Sequence, residues 1–453
     1  MRRGELIEMI TRALGRRQVI WFGTRAEDAI SLSDLPGFDW SFALQGHQGS
    51  RMAGGSVALE DFTGRRVDLD TYDIDEHLLD DEVGRFRLSM LRALSRPSCV
   101  LPYRATTFLS SIGFSSSDRC RILGMFRGHQ EAFEHKPWME MAVAELDIPR
   151  IKWRYVADND QMQASSMLEE GPVMLRQSRS TGGVGLRRVE QVEDLPEEWT
   201  YGEEAFLSVA PFVDGGLPVN VGAVIWDHGV TLHPGSVQLI GVEGCTPRPF
   251  GFCGNDFARF LDLDESVIDA IEDSTRAVGA LLHSLGFRGA FGVDFLIKDN
   301  VPLFMEVNPR FQGSTHLSAR IAREADESCL LLDHIGALLG LPVPAPVRLF
   351  ELSRWEGRRS HLVFHSLESS PARIDPRQLT RALIGIPALI DVDQLTSTEL
   401  WTEPGGVVLR AVFSDSISAD GFQIIDEVAS VASGARGAVR IQEFEIPSLE
   451  GIR

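Results

Sequence analysis

Two blocks of alternating apolar and polar residues lie past the middle of the chain. "GAFGVDFLI" (289–297) and "VPLFMEV" (301–307) each alternate with period two, the signature of a strand, and Lys298, Asp299 and Asn300 join them. A longer run, "DESVIDAIEDSTRAVGALLHSLG" (264–286), has the helical period. It predicts one apolar face made of Val267, Ile271, Val278, Leu281, Leu282 and Leu285, with Asp264 as N-cap and Gly286 as C-cap. "KPWMEMAVAELDIPR" (136–150) predicts a helix that opens on Pro137 and ends before Pro149. "GPVMLRQ" (171–177) and "EAFLSVAPFVDGG" (204–216) predict strands. "PVNVGAVIWDHGVTLHPGSVQLIGV" (218–242) predicts a hairpin with Gly229 in its turn.

Toward the N-terminus, "RQVIWFG" (17–23) and "RPSCVLPYR" (96–104) predict strands with helical patterns between and after them, an α/β domain of residues 1–130. The glycine turn after the first strand lacks the full Gly-x-Gly-x-x-Gly pattern, so a structural role is expected there. The proline-rich "LPVPAPVR" (341–348) marks a boundary. Beyond it, "HLVFHSL", "GGVVLRAVFS" and the helical "ADGFQIIDEVASVAS" (419–433) predict a small α+β domain over 346–453. The expected organisation is therefore 1–130, 131–345 and 346–453.

Composition narrows the function. The chain has 453 residues and 44 basic against 65 acidic side chains, a net charge of −21. A nucleic-acid or anionic-membrane partner needs a basic face, so neither is expected. The first residues lack an unbroken apolar segment, no stretch approaches a membrane span, and the five cysteines are scattered. A cytoplasmic location is the expectation.

Chemistry concentrates in "PLFMEVNPRFQGST" (302–315), a strand ending in an acid, an amide and a cation. A three-residue loop at 298–300 would pair Ile297 with Val301, Asp294 with Phe304 and Gly292 with Glu306. Asp294, Glu306 and Asn308 would then share a face, with Gly292 leaving space beside Glu306. A two-residue turn would move the register by one and turn Asp294 away. A metal site thus predicts the longer loop or a bulge. Two carboxylates and an amide oxygen suit Mg²⁺. "SRSTGGVGL" (178–186) supplies hydroxyls, backbone N–H groups and glycines able to wrap phosphates, and Arg176 precedes it.

In order and spacing, these parts resemble the ATP-grasp superfamily over roughly residues 131–340, above all in "GVDF…PLFMEVNPRFQGST". The resemblance implies two α+β subdomains clamping ATP, preceded by a Rossmann-like α/β domain and followed by the small C-terminal one. It implies Asp294, Glu306 and Asn308 as ligands of one or two Mg²⁺ ions, with Mn²⁺ as a substitute. It assigns Arg310 to the carboxylate, the acyl phosphate and the tetrahedral intermediate. Ser178, Ser180, Thr181, Gly182, Gly183 and Gly185 match the lid over the phosphates. "SVAPFVDG" (208–215) matches the hinge at the base, with Pro211, Phe212 and Val213 near adenine and Asp214 near the ribose. Lys136 and Arg176 match phosphate-binding cations. Arg176 stands where the family usually has lysine, and Ala210 where many members have glutamate.

The implied activity is an ATP-dependent carboxylate–amine ligase working through an acyl phosphate and releasing ADP and phosphate. Its partners would be a small-molecule or peptide carboxylate and an amine. "SVQLIGVEG…FGFCGNDF" (236–257) resembles the pheganomycin-type peptide ligases of antibiotic biosynthesis. A silent ATP-binding scaffold or sensor, and a biotin-carboxylase-like carboxylase, are the alternatives. Dimers are frequent among relatives, so the resemblance allows a homodimer. His233, His316 and His334 are lone histidines expected to pack or face solvent. Arg248 is a candidate for a substrate carboxylate.

Overall fold

The computed structural model describes residues 2–47, 55–157, 166–195, 206–354, 358–394, 400–435 and 442–443. The first unit is a five-stranded parallel sheet. Its strands are β1 (Gln18–Arg25), β2 (Phe38–Gln45), β3 (Gly55–Ala58), β4 (Ser98–Pro102) and β5 (Cys120–Ile122), in the order β3-β2-β1-β4-β5. Strands β1 and β4 are buried along nearly their whole length, as parallel strands covered on both faces must be. The segment after Gly23 is no phosphate turn, because Thr24 and Arg25 continue the strand.

A small antiparallel sheet follows: β6 (Arg154–Ala157), β7 (Val173–Arg176), β8 (Leu186–Val189) and β9 (Phe206–Pro211), ordered β6-β9-β7-β8. Glu204 and Ala205, expected to open β9, lie outside the described residues. The loop between β7 and β8 is the glycine-rich 178–185.

The largest sheet contains β10 (Leu217–Trp226), β11 (Gly229–Leu232), β12 (Ser236–Ile240), β13 (Phe252–Asp256), β14 (Gly289–Lys298), β15 (Val301–Asn308), β16 (Ser360–His365), β17 (Leu389–Gln394) and β18 (Val407–Phe413). Its order is β15-β14-β10-β12-β13-β16-β18-β17, with β11 paired to β10. Strand β16 bonds directly to β13, so the sheet runs unbroken across the proline-rich segment at 341–348. Gly229 is the first residue of β11, opposite Trp226, and the hairpin turn is Asp227-His228 instead.

One face of this sheet is covered by the helix Glu265–Ser284, which buries Val267, Ile271, Val278 and Leu282. Leu285 departs from expectation. It lies past the last turn and is exposed, and Asp264 makes no side-chain capping bond. The C-terminal helix starts at Asp426, not Ala419, because Ser418 bridges Ile424 first. No helix among the described residues is long and apolar enough to cross a membrane.

The β14–β15 hairpin differs from the three-residue loop. Asp299 and Asn300 both take positive φ, 51° and 60°, as a type I′ turn requires, and Lys298 pairs with Val301. Phe295 therefore pairs with Phe304. A bulge at Met305 then adds one residue to β15, and beyond it Asp294 faces Glu306 and Gly292 faces Asn308. The bulge adds a second one-residue shift to the first, which restores the facing of the two strands and brings the acids onto one face.

Candidate active site

The uncovered face of the large sheet, the small sheet and the edge of the parallel unit enclose a cleft of about 320 Å³. Its wall includes Lys136, Arg176, Ser180, Thr181, Gly182, Gly183, Phe212, Val213, Asp294, Glu306, Asn308 and Arg310. Ser178, Gly185, Pro211 and Asp214 lie outside this lining. The Ser178 carbonyl accepts the Lys136 backbone N–H, and that of Asp214 accepts Lys298 Nζ at 2.9 Å.

Asp294 is the centre of a buried polar network. Its Oδ1 accepts from Gln312 Nε2 at 3.1 Å and Asn220 Nδ2 at 3.4 Å, and its Oδ2 accepts from Asn308 Nδ2 at 3.0 Å. Asn220 also donates to Gln312 Oε1 and accepts from Ser236, to which Asn255 donates in turn. The space at Gly292 belongs to Gln312, not to Glu306: a Cβ there would lie 1.8 Å from Gln312 Oε1.

Burial, and then the Glu306 charge across the strand pair, push the Asp294 carboxyl up to about 7. Glu306 behaves oppositely. Burial pushes it up, but Lys136, Arg176 and Arg310 overcome that and hold it below its ordinary value. Its side chain keeps 25% of its surface open to the cleft. Two carboxylates and an amide oxygen form a hard-oxygen set with few protein donors, the pattern Mg²⁺ takes when phosphates and water complete its shell. Among the described residues no group of three or more His, Cys, Asp or Glu is gathered to hold a metal. The hairpin residues fit the ion.

Lys136 and Arg176 are both buried and both reach this hairpin. Lys136 Nζ donates to the Ser180 carbonyl at 2.7 Å and lies 3.2 Å from Glu306 Oε2. Arg176 pairs with Glu140, stacks 3.9 Å over the Trp153 ring and donates to the Met305 carbonyl at 3.3 Å. Met305 is the bulge residue, so the guanidinium reaches the backbone that sets the register. A planar fork can make these contacts together, which an ammonium cannot. Burial pushes Glu140 up despite Arg176 and the Tyr155 hydroxyl that donates to it at 2.6 Å.

Arg310 joins the hairpin to the glycine loop. Its guanidinium donates to Thr181 Oγ1 at 3.0 Å and Asn308 Oδ1 at 3.2 Å, and its Nε lies 3.3 Å from Glu134. The loop uses its glycines where side chains would collide. Gly182 and Gly183 have φ of 58° and 77°, and a Cβ at Gly183 would lie 2.0 Å from the Phe250 carbonyl.

The other singled-out residues fall elsewhere. His233 lies 3.3 Å from Asp333, His316 Nδ1 is 3.1 Å from the Glu27 carbonyl, and His334 bonds to Leu123 and Ala290. All three are buried away from the cleft wall. Arg248 is not a free carboxylate receptor, because Asp68 and Asp70 occupy its guanidinium. Sequence reasoning missed Asn220, Gln312 and Glu140. Two of them carried a signal: Asn220 is a lone amide in an apolar strand, and Glu140 lies one helical turn after Lys136.

Known proteins resemble this chain in sequence over its middle part and in fold. The sequence model of the ATP-grasp domain matches residues 142–314. Formate-dependent phosphoribosylglycinamide formyltransferase from Azoarcus sp. is 25% identical over 255 residues, 55% of this chain and 61% of that protein. The enzyme of that name from Nitratidesulfovibrio vulgaris is 24% identical over 261 residues, 56% and 63%. The matches thus span under two thirds of these relatives. Carboxyaminoimidazole ribonucleotide synthase from Aspergillus clavatus, solved with ATP, superposes with a TM-score of 0.59 at 14% identity, covering 92% of this chain and 99% of that one. The biotin carboxylase domain of Hydrogenobacter thermophilus 2-oxoglutarate carboxylase gives 0.60 at 14% identity, covering 94% and 91%. The matched stretch runs from the helix behind Lys136 to the residues just after Arg310, and residues 142–314 of this chain are an ATP-grasp domain.

Proposed function

We propose that the chain is an ATP-dependent ligase that joins a carboxylate to an amine through an acyl phosphate and releases ADP and phosphate. The meeting of Asp294, Glu306 and Asn308 with Arg310 beneath the glycine loop carries this reading. Asp294, Glu306 and Asn308 would hold Mg²⁺, which when bound supplies charge neutralisation at the phosphates. Lys136 and Arg176 supply fixed cations on the same side. The loop 178–185 offers backbone N–H groups to phosphate oxygens and excludes water. Phe212 and Val213 border the adenine end. Arg310 orients the carboxylate for phosphorylation and then stabilises the oxyanion formed when the amine attacks. The formyltransferase relatives are formate-dependent, and formate is the simplest carboxylate. A peptide ligase is the finer reading of the same chemistry.

The test is release of ADP and phosphate from ATP and Mg²⁺ with paired panels of carboxylates and amines, with products identified by mass spectrometry. Amide products with stoichiometric ADP support the ligase. ATP binding without ADP release from any pair refutes it and favours a silent scaffold. Release that needs bicarbonate and no amine favours carboxylation.

A further inference from the structure

The cleft extends past Arg310 to a corner built by all three parts of the chain. One wall is the turn 68–72. Asp68 is saturated there: it accepts from the Asp70 N–H and Thr71 Oγ1, both at 3.1 Å, and pairs with Arg248. Asp70 is not. Its Oδ2 takes Arg248 at 3.0 Å, while its Oδ1 has no hydrogen-bond partner among the described residues. Asp70 lines the cleft directly under the lid, where a Cβ on Gly182 would lie 2.0 Å from its carboxyl carbon. Gly182 follows Thr181, which Arg310 holds, so Asp70 is one lid residue removed from Arg310.

His365, at the end of β16, lines the same cleft with 9% of its surface exposed. Its Nδ1 is 3.0 Å from the Cys245 carbonyl. A carbonyl only accepts, so Nδ1 carries the hydrogen and Nε2 keeps a lone pair. Nε2 has no partner among the described residues.

Arg104 completes the corner. Of the cleft-lining cations, Arg25, Lys136, Arg176 and Arg310 each have a carboxylate within salt-bridge distance. Among the described residues Arg104 has none. Its contact is the Tyr72 carbonyl, at 3.5 Å, on the far end of the 68–72 turn. Asp68, Asp70 and Arg248 together leave one negative charge, and Arg104 adds a positive charge that no salt bridge occupies, Asp73 feeling it only from beyond salt-bridge distance.

We propose that this corner is the amine-substrate subsite and that its ligand is a small zwitterion, a free α-amino acid or a short peptide. The ammonium rests on Asp70 Oδ1 and His365 Nε2, and the carboxylate rests on Arg104. The assignment of the ligand as the amine partner rests on the ligase reading; the charge complementarity does not.

The test uses the full chain with Mg²⁺ and a non-hydrolysable ATP analogue. Calorimetry compares the twenty free amino acids and a dipeptide set with their N-acetyl and C-terminal amide forms. Free zwitterions should bind, and either cap should weaken them on the order of 10- to 100-fold, the value of a hydrogen bond to a charged group. Arg104→Gln should weaken the free acids equally and leave the amides unchanged, with Arg104→Lys restoring part of the loss. An unaltered melting temperature without ligand would show that these variants fold. Binding of capped forms as tight as free ones, no binding by any probe, or wild-type discrimination in Arg104→Gln would overturn the proposal. ADP release is scored separately. Zwitterion binding without turnover refutes the ligase and leaves the subsite standing; turnover with simple amines and no preference for zwitterions does the reverse.

Discussion

Replacing Gly292 with alanine isolates what holds the candidate metal hairpin in shape. Gly292 lies in an extended strand opposite Asn308, so alanine meets no backbone penalty there. Its Cβ would instead fall 1.8 Å from Gln312 Oε1 and 2.1 Å from Gln312 Cδ. A free glutamine would swing aside at little cost. This one is 6% exposed, donates to Asp294 at 3.1 Å and accepts from Asn220 at 2.8 Å. Displacing it strands one Asn220 N–H in a buried network and takes from Asp294 Oδ1 its shorter donor, leaving that oxygen the 3.4 Å bond from Asn220. At about 1–3 kcal/mol for the unsatisfied buried N–H and about 1 kcal/mol for the bond lost at Asp294, the expected destabilisation is about 2–4 kcal/mol. ADP release should fall with it, because Asp294 loses the bond that orients its carboxylate. The assay is urea unfolding of Gly292→Ala, Gln312→Ala and the double variant, each paired with an Mg²⁺ titration of ATP binding. Once Gln312 is shortened, the clash disappears. The double variant should therefore cost little more than Gln312→Ala alone, a strongly non-additive cycle. A neutral Gly292→Ala, or strict additivity, would refute the reasoning.

Glu306→Gln and Asn308→Ala should each lower ADP release by about 10²–10³-fold, the scale of removing a preorganised transition-state contact; the urea midpoint should stay nearly unchanged in Glu306→Gln and fall in Asn308→Ala, which removes the donor to Asp294 Oδ2. Arg310→Ala should cost a similar factor in amide formation while ATP affinity, read by calorimetry, moves only a few-fold; near-normal ligation would remove Arg310 from the mechanism. His334 predicts a pH dependence. Its Nδ1 accepts the Ala290 N–H at 2.8 Å, and its Nε2 donates to the Leu123 carbonyl at 2.9 Å. Burial lowers its pKa to about 4 against that last bond. The fold therefore favours the neutral ring. Stability is full above the unfolded value near 6.5 and is lost as pH falls toward 4, by about 3 kcal/mol in total. Subtracting the urea-unfolding profile of His334→Gln from that of the wild type should expose this slope, and identical slopes would exclude it.

What the sequence discloses about this protein follows from how local each feature is. Period-two alternation marks β14 and β15 wherever their partners lie, and the carboxylates can be named from it. The register cannot, because "FMEVN" alternates equally well with or without a bulge at Met305. Only the demand that Asp294 and Glu306 share a face points to one. Asn220 and Gln312 are harder still. Asn220 becomes a site residue only after β10 lies beside β14, a contact between segments some seventy residues apart (Asn220 opposite Asp294), and Gln312 only after the chain past β15 folds back over Gly292. The same limit explains the C-terminal boundary. "LPVPAPVR" correctly breaks the chain's regular structure, yet β16 then finds the open edge of β13 and extends the sheet. A strand's sequence states that its N–H and C=O groups need a neighbour. It does not state which edge supplies one, and that choice carries His365 into the cleft beside Asp70.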